Sequence, residues 1–330
     1  MADAAGNLAE SRVAKIAADV ALLTTLYRVV LVSSGAVSSG KSFLPSYKGK
    51  LAERKAAAAI GNPVLITAYS RCFAPYGMQV AQALLERHHF SSRRQFLQLK
   101  ETVTELWKNN ILTIVNENDF VSDHELRFSD NDELATLIAV AFNAQTLILC
   151  TTSGGFLDHD GNVIPQVNQI DDNLLSLLRN ETSKHGTGGM ASKLTFTKLA
   201  TTLGITVVMC GLAEESSFAN ALDGKEGTTF KARQSTLKDR QKWLASGSIT
   251  IGSVQLDSGA CQALERRKSL LTIGIVKVLR PFSEREVVEL VSPAGEIIGV
   301  AQMRLSASAI ERSEQQHNVM AAHADSIVIF

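Results

Sequence analysis

The chain has 330 residues, of which 45% are apolar and 20% charged. That is the composition of a globular protein, and at about 150 residues per domain it predicts two domains. Thirty-three Lys and Arg balance 33 Asp and Glu, which excludes an overall field able to recruit nucleic acid or an anionic membrane. The four cysteines (Cys72, Cys150, Cys210, Cys261) are far apart and form no CxxC pair, so neither a disulfide framework nor a zinc site is predicted. No run approaches the roughly 18 apolar residues of a membrane helix. MADAAGNLAESR also lacks the basic-then-apolar order of a secretory signal. A cytoplasmic protein with no membrane association and no protein-held metal site is expected.

Val13, Ile16, Ala17, Val20, Leu23 and Leu26 recur at helical spacing and predict an amphipathic first helix. Residues 28–33 form a short β-branched run, expected as a strand covered on both faces. One or two helices are predicted over 51–77, broken near Gly61-Asn62-Pro63, followed by a strand over Gln79–Leu85. A helix over Ser91–Asn110, a strand over Ile111–Val115, a helix over Ser129–Asn143 and a strand over Thr146–Cys150 continue the alternation. Helices over 172–180 and 188–203 and a strand over Ile205–Cys210 complete it. Such alternation predicts an α/β domain with a largely parallel sheet between helices, its ligands held at the carboxyl ends of the strands.

Past a linker at 237–247 the rhythm changes. Short strands at 248–251, 274–279, 287–292 and 297–302, one helix at 258–266 and intervening turn residues predict a small β-rich, barrel-like domain over 248–330.

Four strand-end segments carry chemistry. SSGAVSSG (33–40) follows the first strand; its glycines admit a ligand close to the backbone and its hydroxyls add donors. A tight strand-to-helix turn is the bland alternative. NENDFV (116–121) puts four consecutive polar residues at the end of a buried strand, where they need partners, although Asn and Asp also favour plain turns. FSDNDELA (128–135) opens a helix with residues that suit a helix start for local reasons. GTGGMASK (186–193) runs glycines, a hydroxyl and Lys193 into a helix, a composition suited to anions. It is neither GxxxxGK[ST] nor a GxGxxG following a strand.

These four segments, in this order and ahead of a small β domain opened by GSITIGSVQLDSGACQAL, closely resemble glutamate 5-kinases, members of the amino-acid kinase family with a C-terminal PUA domain. The resemblance runs from about residue 10 into the last domain. It implies the amino-acid kinase fold and phosphorylation of the γ-carboxylate of L-glutamate by ATP with Mg²⁺, the opening step of proline synthesis. By motif, Ser34, Gly35 and Ala36 line the meeting point of carboxylate and γ-phosphate, and Asp119 and Asn131 hold the ends of glutamate. Thr187, Gly188, Gly189, Met190, Ala191, Ser192 and Lys193 lie on the nucleotide phosphates, with Thr151 and Thr152 at the nucleotide. Lys193, Ser34 and Asp132 form the expected catalytic set. Asp119, Asp130 and Asp132 are expected to bind the substrate ammonium or to orient magnesium and the glycine loops. The resemblance also implies a homo-oligomer and makes proline a candidate feedback inhibitor.

The chemistry agrees. A glutamate side chain is ionised at neutral pH, its unperturbed pKa being about 4.3, so the nucleophile needs no general base. Bringing it to a polyphosphate calls for cations, amide donors and alignment. Three departures from the family pattern stand out. Residues 1–10 offer no counterpart of the family's first strand with its Val-Lys-x-Gly-Ser/Thr motif. The chain is therefore expected to start one strand late, through a mis-set start or a fragment, with a loss of roughly 10³ in rate if that lysine is absent. Thr152 stands where the family usually has an aspartate, and Ser129 where it has a glycine. The alternative is an impaired relative acting as a regulatory or RNA-binding protein. Glu265-Arg266-Arg267-Lys268 is a local cluster, but no aromatic stripe accompanies it, and RNA is not an expected partner.

Overall fold

Helix α1 (Glu10–Thr24) forms where the 3.6-residue spacing predicts, and Val13, Ile16, Ala17, Val20 and Leu23 are buried along one stripe. Leu26 lies past its end and is exposed. The computed structural model describes residues 8–120, 128, 130–171, 174, 177, 188–213, 216–234, 241–242, 244, 250–284, 286–312 and 319–329. The predicted linker and the helix at 172–180 fall largely outside them. The chain divides into two compact units, one of residues 1–89 and 93–235, the other of 90–92 and 236–330.

In the first unit β1 (Val30–Val32) leads into the short α2 (Ala36–Gly40), then α3 (Leu51–Phe73), β2 (Gln79–Leu85), α4 (Arg87–Ser91), α5 (Arg93–Lys108) and β3 (Ile111–Glu117). The three strands form a parallel sheet in the order β1-β3-β2. Central β3 is buried from Leu112 onward, as its β-branched run requires. Trp107 of α5 fastens the entry to β1 by donating its indole N–H to the Val29 carbonyl at 2.9 Å.

A second sheet follows α6 (Asn131–Ala141). It contains β4 (Thr146–Cys150), β5 (Gln166–Val167), β6 (Thr206–Cys210) and β7 (Thr228–Phe230), with α7 (Gly188–Thr202) and α8 (Phe218–Leu222) between them. Its order is β4-β6-β7-β5, with β4–β6 and β5–β7 parallel and β6–β7 antiparallel. The described strands thus make two sheets rather than one, and β5 and β7 run opposite to β4 and β6. Val30–Val32 of β1 and Thr146–Cys150 of β4 line a common cavity of about 1570 Å³. No helix among the described residues is long and apolar enough to cross a membrane.

The second unit holds β8 (Thr250–Leu256), α9 (Ser258–Glu265), β9 (Leu270–Leu271), β10 (Ile275–Arg280), β11 (Val287–Val291), β12 (Ile297–Gln302), α10 (Ala307–Arg312), β13 (Met320–Ala322) and β14 (Ile327–Ile329). Five strands pair in the order β10-β8-β11-β12-β14, and β13 pairs with β9. Val254, Leu256, Val288, Leu290, Ala301 and Met303 fill the core between them. The described strands form these two sheets and not a closed ring. Asp257 starts α9 by accepting the Ala260 N–H at 2.6 Å.

Gly61-Asn62-Pro63 does not break α3, which runs unbroken from Leu51 to Phe73. The reason is tertiary. At Gly61 a Cβ would stand 1.8 Å from the Ala36 carbonyl oxygen, and at Gly40 one would stand 1.9 Å from that of Ala57. The backbones of α2 and α3 therefore touch, and this contact overrides the local signal for a break. Gly61→Ala is expected to destabilise the protein by about 1–3 kcal/mol, the usual range for overpacking. The measurement is the thermal unfolding midpoint, and an unchanged midpoint would contradict so close an approach.

Candidate active site

The strand pairing of β1 continues one residue past Val32, since the Ser33 N–H donates to the Val115 carbonyl at 2.9 Å. The Ser33 hydroxyl meets the Tyr69 hydroxyl at 2.9 Å. Tyr69 is buried, which pushes its phenol up to about 12. The chain then turns at Gly35, whose φ of 114° favours glycine and whose carbonyl accepts the Ser38 and Ser39 hydroxyls at 2.9 and 2.7 Å.

At the end of β3, Asn116 and Glu117 belong to the strand rather than to the loop predicted for them, and both are buried. Each has a partner that makes this tolerable. Asn116 donates to the Asn62 carboxamide oxygen at 3.3 Å, which also accepts from Gln82 at 3.2 Å. Glu117 accepts the Phe128 N–H at 3.2 Å. Asn118 donates to Glu86 at 2.8 Å.

The start of α6 joins these segments. Asp130 takes an extended conformation as the N-cap and accepts the N–H groups of Asp132 and Glu133, each at 3.0 Å. Its other carboxylate oxygen accepts the Ser192 hydroxyl of α7. Asn131 donates to the Ser33 carbonyl at 3.0 Å. Asp132 pairs with Lys193, whose Nζ lies 2.7 and 2.8 Å from its two oxygens, and both side chains are under one-fifth exposed. Burial pushes the Asp132 carboxyl up from its ordinary value, while Lys193 pulls it back and nearby Asp130 adds to the rise. Glu133, buried one residue on, pairs with Arg87.

Ser34, Gly35, Ala36, Asp119, Asn131, Asp132 and Lys193 all line the cavity between β1 and β4. Ser192 is held on Asp130 beside it. Gly188, Gly189, Met190 and Ala191 form the first turn of α7, with Ala191 exposed. Thr187 and Ser129 lie outside the described residues. Thr151 and Thr152 follow β4 but are not in the cavity wall; the Thr151 N–H bonds the Cys210 carbonyl at 2.8 Å and its hydroxyl meets Ser153 at 3.0 Å. The cavity wall also contains Arg28, Lys41 and Arg54, three cations that no motif marked. Lys41 directly follows the serine–glycine segment, a basic residue beside hydroxyls that could have been noticed. Arg54 sits within an ordinary amphipathic helix and carries no local signal. The wall thus offers backbone donors at a glycine turn, hydroxyls, carboxamides and four cations (Arg28, Lys41, Arg54 and Lys193), with Asp119, Asp130 and Asp132 among them. Such a surface suits a ligand with several negative charges and an ammonium group.

The profile of the amino acid kinase family matches residues 3–211, and that of the PUA domain residues 252–323. Among proteins similar to the chain, a glutamate 5-kinase of Kosmotoga olearia is 33% identical over 93% of this chain and 88% of its own length. One of Bacillus cereus is 36% identical over 93% of this chain and 87% of its own. One of Moorella thermoacetica is 36% identical over 86% and 78%. The matched profile spans more than half of the sequence, and relatives a third identical extend along nearly all of it; the chain belongs to the amino acid kinase family.

Proposed function

We propose that this protein transfers the γ-phosphoryl group of ATP to the γ-carboxylate of L-glutamate, giving L-glutamyl 5-phosphate and ADP at the start of proline biosynthesis. The observation that carries this reading is that Ser34, Asp119, Asn131 and Lys193, from four separate sequence segments, line one cavity. The glutamate 5-kinases similar to the chain along most of its length support the same substrate. We divide the chain into a kinase domain at 1–236, a linker at 237–247 and a PUA domain at 248–330. Neither the relatives nor the geometry favours the regulatory or RNA-binding alternative.

In this mechanism a γ-carboxylate oxygen forms a bond to the γ-phosphorus as the bond from that phosphorus to the β,γ-bridging oxygen breaks, and ADP departs with the electron pair. The nucleophile is already anionic, so no residue removes a proton. Ser34, Gly35 and Ala36 receive the reacting carboxylate, and Asp119 and Asn131 hold the ammonium and α-carboxylate ends. Residues 187–193 carry the phosphates, with Lys193 as the charged contact and Thr151 and Thr152 at the nucleotide. Asp132 orients the Lys193 ammonium through two oxygens. Lys41 and Arg54 add positive charge to the wall that faces two anionic reactants.

Among the described residues no three His, Cys, Asp or Glu side chains are grouped to hold a metal ion. Magnesium is carried largely by phosphates and water with one or two carboxylates, and Asp119 would supply hard oxygen donors from the same wall. When bound with ATP, the ion neutralises charge on the phosphate oxygens.

Purified protein given ATP, Mg²⁺, glutamate and hydroxylamine is expected to yield glutamyl hydroxamate. Lys193→Ala should lower kcat by roughly 10²-fold or more, the effect of removing a group that stabilises transition-state charge. A variant with undiminished turnover would remove Lys193 from the mechanism.

A second expectation concerns pH. Lys193→Met takes away the charge that pulls the Asp132 carboxyl down, so its folded pKa rises further above the unfolded value of about 3.9. The native state then binds more protons than the unfolded state, and stability falls as pH rises through the raised pKa. The stability deficit of Lys193→Met relative to the parent should therefore be larger at pH 7 than at pH 4. Thermal midpoints at the two pH values check this, and a deficit that shrinks with rising pH would contradict the pairing.

A further inference from the structure

We propose that Cys150 and Cys210 form a peroxide-oxidisable dithiol, a reversible modification site at the carboxyl end of the second sheet that weakens nucleotide binding when closed. They are the last residues of β4 and β6 and stand directly opposite each other in the parallel ladder. Neighbouring strands lie about 4.8 Å apart, inside the Cα separation of roughly 4.4–6.8 Å that a disulfide spans. Partners in register project to the same face, which brings the two thiols together. Both are free.

The two differ in access. Cys210 is 1% exposed. Cys150 is only half-buried and lines the cavity, so a small oxidant arriving there meets it first. The facing Cys210 thiol draws the Cys150 thiol below its ordinary range, and Lys193 favours the thiolate as well; the same neighbour, with burial, pushes Cys210 up. Cys150 is thus the attacking sulfur and Cys210 the reserve that keeps its proton. In the reaction the Cys150 thiolate attacks one oxygen of hydrogen peroxide, breaking the O–O bond to give a sulfenic acid and hydroxide, which takes up the proton the thiol released and becomes water. The Cys210 sulfur then displaces the sulfenic oxygen, its proton leaving with that oxygen as a second water. Two thiols are oxidised to one disulfide and one peroxide is reduced to two waters.

The consequence for nucleotide rests on the kinase reading. The Thr151 N–H bonds the carbonyl of Cys210 itself, at 2.8 Å. A bond between the two sulfurs therefore shifts the point from which the Thr151–Ser153 segment leaves the sheet.

The test uses the full reduced chain, treated with hydrogen peroxide, alkylated and mapped by mass spectrometry. The expected result is loss of two hydrogens per chain, a linked peptide joining Cys150 to Cys210, and reversal by dithiothreitol. Cys72→Ser should keep the link, while Cys150→Ser and Cys210→Ser should lose it. A link from Cys150 to Cys72, further oxidation of Cys150 without any link, or thiols that stay reduced would each overturn the proposal. Titration with ATP should show affinity about ten-fold weaker in the oxidised protein, within the usual range of coupling between sites. Equal affinity would overturn the effect on nucleotide binding. A reduced protein that binds no ATP would sink the kinase reading instead, and the linked peptide would still decide the dithiol.

Discussion

The first turn of α6 is the constraint on which the site depends. Three consecutive side chains reach two distant segments: Asp130 and Asp132 bond Ser192 and Lys193 of α7, and Asn131 bonds the carbonyl of Ser33 after β1. A helix N-terminus leaves several N–H groups without helical partners. Here one carboxylate oxygen of Asp130 satisfies two of them, and its other oxygen is directed across the site. Local capping and tertiary assembly thus use the same residue. The polar positions that a sequence reader would assign to ordinary helix initiation are also the fasteners between segments that are far apart in the chain.

The electrostatics follow from that arrangement. A site for two anionic reactants would be expected to avoid carboxylates, yet Asp119, Asp130 and Asp132 share its wall. Asp130 is occupied by amides and a hydroxyl, and Asp132 by an ammonium group, so both are spoken for before any ligand arrives. The pairing of Asp132 with Lys193 also fixes a flexible side chain that would otherwise lose much rotamer freedom on meeting a phosphate. Orientation of the lysine is thereby settled in the folded protein rather than at binding.

Much of this was legible in the sequence because the physics was local. The spacing of Val13, Ile16, Val20 and Leu23 gave α1, and β-branched runs gave β1, β3, β4 and β6. Other features depended on distant partners. Pro63 lies inside a continuous helix because Gly61 packs on the Ala36 carbonyl. Asn116 and Glu117 remain in a buried strand because Asn62 and the Phe128 N–H receive them. Arg54 reaches the cavity from a helix whose sequence marks nothing special about that position. The reversal of β5 and β7 and the separation of the strands into two sheets have no counterpart in a pattern of alternating elements, since that pattern gives order but not pairing. The facing of Cys150 and Cys210 belongs to the same class, because register exists only between strands.

The Asp132–Lys193 pair links these points to binding. Asp132 already stands above its ordinary carboxyl value through burial and the neighbouring Asp130, and Lys193 is the group that opposes the rise. On the proposed reading, a phosphate that draws on Lys193 weakens that opposition and brings further negative charge to the carboxylate. Both changes favour the protonated acid. Nucleotide binding and protonation of Asp132 are therefore coupled with the same sign, and by linkage each promotes the other. The ion pair that sets the lysine in place also makes the site responsive to what the lysine holds, and a carboxylate in the wall becomes less of an obstacle to an anion as that anion arrives.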